Sequence, residues 1–327
     1  MSLIAADPID DICSRGVVRD SDVLNLRQII YGKASIAAAD IEALFSINDQ
    51  VGIQDPAWAA FFIEVVTDFL INELPPQGYV TAANADWLIE RVGRDGRVGS
   101  ATGLELVVNV LDQARWVPAP LVRFALDQVK RAVIDGDGPL RAGDELKPGQ
   151  ISADDVTLLR RVLNAFGSAG TTAITRPEAE VLFEIDDATA AGWQAPEWQE
   201  LFLKAIASAV LAASGYKVTS RTEALRREDW LCGRSDVSIG GFLGSILANH
   251  DQMSAEERAL ARLERQRIEI ITNAEVCESE AAWIAERIGR DGATTPNEHL
   301  LLAFLKRESS RLHPALQHVV DKVANAA

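Results

Sequence analysis

Apolar positions along this chain recur with a helical period. Phe61, Phe62, Val65, Val66, Phe69 and Leu70 fall at i, i+1, i+4, i+5, i+8 and i+9, one broad stripe. Leu158, Leu159, Val162 and Leu163 repeat the pattern, as do Leu121, Phe124, Ala125, Val129 and Val133. No segment sustains the strict alternation of a half-buried strand, so the pattern predicts an all-α fold. A shorter signal marks where helices begin: a β-branched residue, then an N-cap position, then an acid or amide three residues further on. It occurs at Val18 with Asp22, Ile36 with Asp40, Val80 with Asn84, Ile151 with Asp155, Ile174 with Glu178 and Thr294 with Glu298. Val98 with Thr102 and Val218 with Thr222 lack the acid or amide. Such spacing lets an N-cap side chain and the third helical residue cap each other. Pro177 and Pro296 fall in first turns, where a missing N–H costs nothing.

The chain also matches itself. Leu44-Phe45-Ser46-Ile47-Asn48-Asp49 recurs 138 positions on as Leu182-Phe183-Glu184-Ile185-Asp186-Asp187. Pro56-Ala57-Trp58 recurs 140 positions on as Pro196-Glu197-Trp198. Trp87-Leu88-Ile89-Glu90-Arg91-Val92-Gly93-Arg94-Asp95-Gly96 recurs 196 positions on, from Trp283 to Gly292. The change of offset predicts an insertion of roughly 56 residues in the second copy. The expected organisation is a first helical domain over 1–134, a linker over 135–148, and a second domain over 149–327 with its insertion at about 231–280. The first copy has room for six or seven short helices.

Composition narrows the classes of partner. The chain has 327 residues, of which 48% are hydrophobic, enough for two real cores. With 32 Lys and Arg against 48 Asp and Glu the net charge is −16, which repels phosphate backbones and anionic lipid. Neither nucleic acid nor membrane insertion is expected, and the longest apolar run, Ala205 to Gly215, is far short of a membrane span. Cys13, Cys232 and Cys277 are too few and too scattered for a disulfide framework. An acidic N-terminal stretch stands where a signal peptide would carry basic residues. The expected location is the cytoplasm.

Candidate chemistry is sparse. Turns of the form Gly-x-[Val/Ile]-x-x-x-[Asp/Glu] between helices resemble the second half of an EF-hand loop and are similar to turns in helical modules of the TerB type. The resemblance covers the turns and not the whole chain. It implies divalent-cation binding where the ligand positions are filled. With Gly138 at the sixth position of a calcium loop, Asp135 takes the third, Asp137 the fifth and Asp144 the twelfth. Val133 at the first position cannot ligate. Placing Gly96 or Gly292 there instead puts Arg91 or Arg287 at the first position, which excludes a cation. Elsewhere the acids at the twelfth position are explained by helix capping.

Asn48-Asp49 and Asp186-Asp187 stand at matching places. They could line a metal or ligand site in each copy, or end their helices and turn the chain toward the Pro-x-Trp helix start. Trp58, Trp198, Trp87 and Trp283 recur at helical spacing and are expected in the cores, whereas Trp116 and Trp193 are unpaired and candidates for exposure. His313 and His318 miss the i, i+4 spacing of helix-borne zinc ligands, and neither a nucleophile elbow nor a phosphate loop is found. Ser254-Ala255-Glu256-Glu257 predicts the start of an amphipathic helix of mixed charge within the insertion, an interface or a surface helix. The function expected is a non-enzymatic interaction or scaffold protein with a protein partner. The alternative is a calcium-binding regulator using Asp135, Asp137 and Asp144. An enzyme with metal held by Asn48, Asp49, Asp186 and Asp187 is the third class.

Overall fold

A computed structural model describes residues 6–142, 146–164, 174–213, 278–288, 290 and 294–308. These residues fold mostly as helix. In chain order they are α1 (Ala6–Arg15), α2 (Asp20–Tyr31), α3 (Ala38–Gln50), α4 (Pro56–Asp68), α5 (Ala82–Val92), α6 (Ala101–Gln113) and α7 (Ala119–Asp135). They continue as α8 (Ala153–Asn164), α9 (Arg176–Thr189), α10 (Pro196–Ala213), α11 (Glu278–Arg287) and α12 (Pro296–Glu308). A π-helical turn, Phe69–Glu73, extends α4. No described helix is long and apolar enough to cross a membrane.

The helix starts follow the capping logic of the sequence. The backbone N–H of Arg19, Ala37, Ser152, Thr175 and Thr295 donates to the carboxylate three residues on, at 2.7 to 3.1 Å. The Ser152 and Thr295 hydroxyls accept in turn from the backbone N–H of Asp155 and Glu298, at 3.1 and 3.0 Å. The β-branched residue before most caps is drawn inward: Thr294 is half-buried, whereas Val18, Ile36, Val80, Ile151 and Ile174 are all buried. So are Val23, Ile41, Ala85, Val156 and Ala179, four residues beyond the caps, which is the burial pattern of a hydrophobic staple. One start shifts. The expectation at Val98 places the cap on Gly99, yet α6 begins after Ser100, whose hydroxyl accepts from the Gly103 N–H at 3.1 Å. A side-chain acceptor outcompetes a glycine that has none.

The described residues form two compact units. The first holds residues 6–128 and 138–142, and the second holds 129–137 and the described residues from 146 onward, so the division falls inside α7. In the first unit α4 is the central helix and packs on α2 and α6. Its Trp58, Phe61, Phe62, Val65 and Val66 meet a core completed by Leu106, Val107 and Val110 of α6, all buried. In the second unit α10 takes the central place against α8, α9 and α12, with Trp198, Leu201, Phe202 and Ile206 buried.

Short β contacts tie the segments that lead into helices. β1 (Val17–Val18) pairs in parallel with β2 (Ile53–Gln54), in register Val18 to Gln54. In the second unit Ile151 bridges Gln194 in the same parallel sense. β3 (Gly93–Arg94) and β4 (Arg97–Val98) form an antiparallel hairpin. Its turn residues Asp95 and Gly96 both have positive φ, 52° and 72°, as a two-residue hairpin of this hand requires. Gln128 of α7 fastens it, accepting from the Val98 N–H at 3.0 Å and donating to the Gly96 carbonyl at 3.1 Å.

Candidate functional site

The residues singled out by the self-match lie together in each unit. In the first, the Phe45 ring meets Phe62 and Trp87 edge-on at 4.9 and 5.8 Å. In the second, Phe183 meets Phe202 and Trp283 edge-on at 5.2 and 6.1 Å. The Arg91 guanidinium sits 4.3 Å from the Phe45 ring centre and donates to Asp49 at 2.8 Å. Arg287 sits 4.7 Å from the Phe183 ring centre and donates to Asp187 at 2.7 Å. The indole N–H of Trp58 donates to Asn48 Oδ1 at 3.2 Å, and that of Trp198 to Asp186 Oδ1 at 2.9 Å.

This arrangement bears out one part of the expectation for the two polar pairs, that each stands at the end of its helix, and corrects the other. They do not turn the chain: Asn48 and Asp49 lie in the last turns of α3, and Asp186 and Asp187 in those of α9. Neighbouring residues on a helix point in different directions, so the first of each pair reaches the indole and the second reaches the guanidinium. Within each unit the pair is engaged in holding helices together and does not converge on one point. Trp58 and Trp198 are fully buried, as the spacing predicts, whereas Trp87 and Trp283, expected in the cores with them, are half-buried; Trp193 is 52% exposed and Trp116 half-buried.

The second unit elaborates the theme. Asp186 is fully buried and accepts from three side chains: Trp198, Asn297 at 2.6 Å and Thr295 at 2.5 Å. Glu180 accepts from the Trp283 indole at 2.6 Å and from Arg287 Nε at 3.1 Å. Each is a charge-assisted bond at the helix interface.

A different feature belongs to the first unit. A surface groove of about 440 Å³ is lined by Tyr31 of α2, Ala60, Ile63, Glu64 and Asp68 of α4, and Asn109 and Gln113 of α6. Arg27 grips both oxygens of Glu64, at 2.8 and 2.7 Å, and lies 5.2 Å from the Phe61 ring centre. Partial burial, with the nearby Glu64 and Asp68 carboxylates adding to it, pushes the Tyr31 phenol well above its ordinary pKa. Asn109 donates to Thr67 at 2.9 Å and accepts from Gln113 at 3.3 Å. Asp68 Oδ1 accepts from Asn72 at 2.5 Å.

Matching α4 with α10 and α6 with α12 by their caps and indoles sets Lys204 against Glu64 and Phe304 against Asn109, and both Lys204 and Phe304 are buried. Sequence reading missed the groove because its residues come from three helices and form no motif. One signal was present: Asn109 interrupts the apolar run Leu106-Val107-Val108-Asn109-Val110-Leu111.

The predicted cation loop is only partly placed. Asp135 ends α7, and Asp135 and Asp137 are both exposed, separated by Gly136 at φ 68°. Asp144 lies outside the described residues, as do Trp230, Cys232, Cys277, His313, His318, the Ser254–Glu257 helix start, and all but the last residues of the 231–280 insertion. Among the described residues no group of three or more His, Cys, Asp or Glu side chains is placed to hold a metal ion. Comparison with known proteins finds no matching family model, no matching curated protein and no matching solved structure.

Proposed function

We propose that this protein is a non-catalytic interaction or scaffold protein of the cytoplasm, built from two copies of one helical domain. The paired contacts of Trp58 with Asn48, Trp198 with Asp186, Arg91 with Asp49 and Arg287 with Asp187 support common descent of the two units. The same contacts absorb the polar residues whose pairing had suggested catalysis. The groove beside Tyr31 and Asn109 carries the interaction reading: its Glu64 and Asn109 stand where the second unit has the buried Lys204 and Phe304.

Asn109→Phe, which gives the groove the residue found at 304, tests this. Wild-type and variant protein are photo-cross-linked in extracts of the protein's own source cells and the attached proteins identified. Partners captured by the wild type and lost from an equally stable Asn109→Phe variant are expected. Identical capture by both sinks the groove as the docking site.

The second reading is calcium regulation. Exposure of both Asp135 and Asp137 beside two positive-φ glycines, Gly136 and Gly138, favours it. Calorimetric titration of chelator-stripped protein with calcium, wild type against the Asp135→Ala/Asp137→Ala double variant, decides it: saturable heat lost in the variant supports a loop site, and no heat in the wild type removes it.

A further inference from the structure

The second unit keeps one half of an ion pair that is complete in the first. α8 packs on α10 as α2 packs on α4. Aligning α2 with α8 by their caps, Arg19 and Ser152, and their capping acids, Asp22 and Asp155, sets Arg160 in the place of Arg27. Aligning α4 with α10 by Trp58 and Trp198 sets Lys204 in the place of Glu64 and Glu200 in the place of Ala60. Arg27 holds both oxygens of a carboxylate, at 2.8 and 2.7 Å, whereas the position across from Arg160 carries an ammonium. Lys204 bonds Glu200 on its own helix, with only 1% of its side chain exposed. Arg160 is half-buried, its Nε is withdrawn from solvent without an acceptor, and it makes no ion pair among the described residues. Arg15 and Arg141 also have a buried Nε without an acceptor, but Arg15 binds Asp11 and Asp22 through its other nitrogens and Arg141 donates to the Leu140 carbonyl. Arg160 therefore stands apart as a partly buried guanidinium that lacks the anion its counterpart has.

From this we infer that the second unit binds a small oxyanion, a carboxylate or a phosphate, between α8 and α10, with Arg160 as its main ligand and Lys204 as a second positive charge. The inference goes beyond the interaction reading and does not depend on the groove of the first unit. Through Nε and a terminal nitrogen a guanidinium presents two parallel donors, the spacing of two oxygens on a carboxylate or phosphate. The Arg27–Glu64 pair shows that this helix pairing accommodates a carboxylate at that place. The Arg27 guanidinium lies against Phe61 and Tyr31, at 5.2 and 6.0 Å from their ring centres, and the matching residues beside Arg160 are the smaller Leu201 and Asn164, which add room for a free ligand. Arg160, Lys204 and Glu200 together carry one net positive charge, against the negative charge of the chain as a whole.

Isothermal titration calorimetry of the full-length protein tests this, with sodium phosphate and sodium acetate as probes and sodium chloride of matched ionic strength as the control. Saturable heat with at least one of the two oxyanions, and none with chloride, is expected. Arg160→Gln is expected to weaken that binding by about tenfold or more, the scale of a charge-assisted pair. Arg27→Gln removes a guanidinium that Glu64 already occupies and is expected to change the affinity by less than about twofold. The double variant Glu200→Ala/Lys204→Glu gives α10 the Ala60 and Glu64 of α4, so Arg160 gains a carboxylate of its own chain; oxyanion binding is expected to vanish while the helical circular dichroism is kept. Absence of saturable heat with both oxyanions in the wild type overturns the proposal. So does undiminished binding in Arg160→Gln, or a loss in Arg27→Gln equal to it, which would show diffuse attraction. If Arg160→Gln fails to fold, the double variant decides, and undiminished oxyanion binding there overturns the proposal.

Discussion

Asp186 accepts the indole N–H of Trp198 at 2.9 Å with both side chains wholly withdrawn from solvent. In the first unit the same relation joins Asn48 to Trp58 through a neutral amide. The carboxylate is tolerated at 186 because Thr295 and Asn297, from the start of α12, also donate to it. Removing it in Asp186→Ala leaves three buried donors without an acceptor and is expected to cost about 3 to 5 kcal/mol. Asp186→Asn keeps an acceptor for Trp198 and Asn297, and the Thr295 hydroxyl can turn to accept from the new amide, so about 1 to 2 kcal/mol is expected. Urea unfolding followed by circular dichroism ranks the two. A loss in Asp186→Asn as large as in Asp186→Ala would mean that the charge itself, not the acceptor, holds α12.

The two guanidiniums should differ in worth despite their matching contacts. Arg287 has a side chain only 4% exposed and bonds both Glu180 and Asp187, so Arg287→Ala strands two partly buried carboxylates. A loss of about 3 kcal/mol is expected for it. Arg91 is 27% exposed, its partner Asp49 48%, and its approach to Glu42 a loose 3.8 Å. Arg91→Ala is expected to cost about 1 kcal/mol or less. Unfolding midpoints of the two single variants check the order, and equal losses would refute burial as its cause.

How far the sequence showed these relations depends on whether they were local. Helix starts were readable because a cap and its acid lie three residues apart and bond each other, as Ser152 and Asp155 do. The core stripes were readable because period 3.6 puts Phe61, Phe62, Val65 and Val66 on the packed faces of α4. The aligned pairs Asn48-Asp49 and Asp186-Asp187 were visible as matches, but their roles were not. Those roles depend on Trp58 and Arg91, 10 and 42 residues away from their partners, and on Trp198 and Arg287, 12 and 100 away. The groove lies further still from the sequence, since Tyr31, Asp68 and Asn109 become neighbours only when three helices pack.

The capping box of α8 gives a direct check on the local part. Asp155 is buried and accepts from both the Ser152 N–H, at 2.9 Å, and the Ser152 hydroxyl, at 2.8 Å. Ser152→Ala removes the hydroxyl and is expected to cost about 1 kcal/mol. Asp155→Ala leaves the Ser152 N–H without its acceptor beneath the buried Ile151 and Val156, and about 2 kcal/mol is expected. Hydrogen exchange at the first amides of α8 should speed up in both, more in the second. Unchanged exchange there would show that packing on α10 alone fixes the start of this helix.

Tyr31 makes a pH prediction whose sign is fixed. Its phenol ionises well above the ordinary value of 10.0, chiefly because partial burial disfavours the phenolate, with Glu64 and Asp68 adding repulsion and Arg27 opposing them. Below about pH 10 both folded and unfolded chains hold the proton, and the contribution of Tyr31 to stability is constant. As pH rises past that point the unfolded chain releases the proton first, which favours unfolding, so stability falls through the window up to the raised folded-state pKa. Tyr31→Phe has no proton to lose and should be spared that part of the decline. The urea midpoints of wild type and Tyr31→Phe are therefore expected to separate between about pH 9 and about pH 11, with the variant gaining relative to the wild type. At 40% exposure the residue is too open for the effect to be large, yet its direction is set by burial and by two nearby carboxylates. A difference between the two proteins that stays constant across this interval would mean that Tyr31 does not face Glu64 and Asp68 in the folded chain.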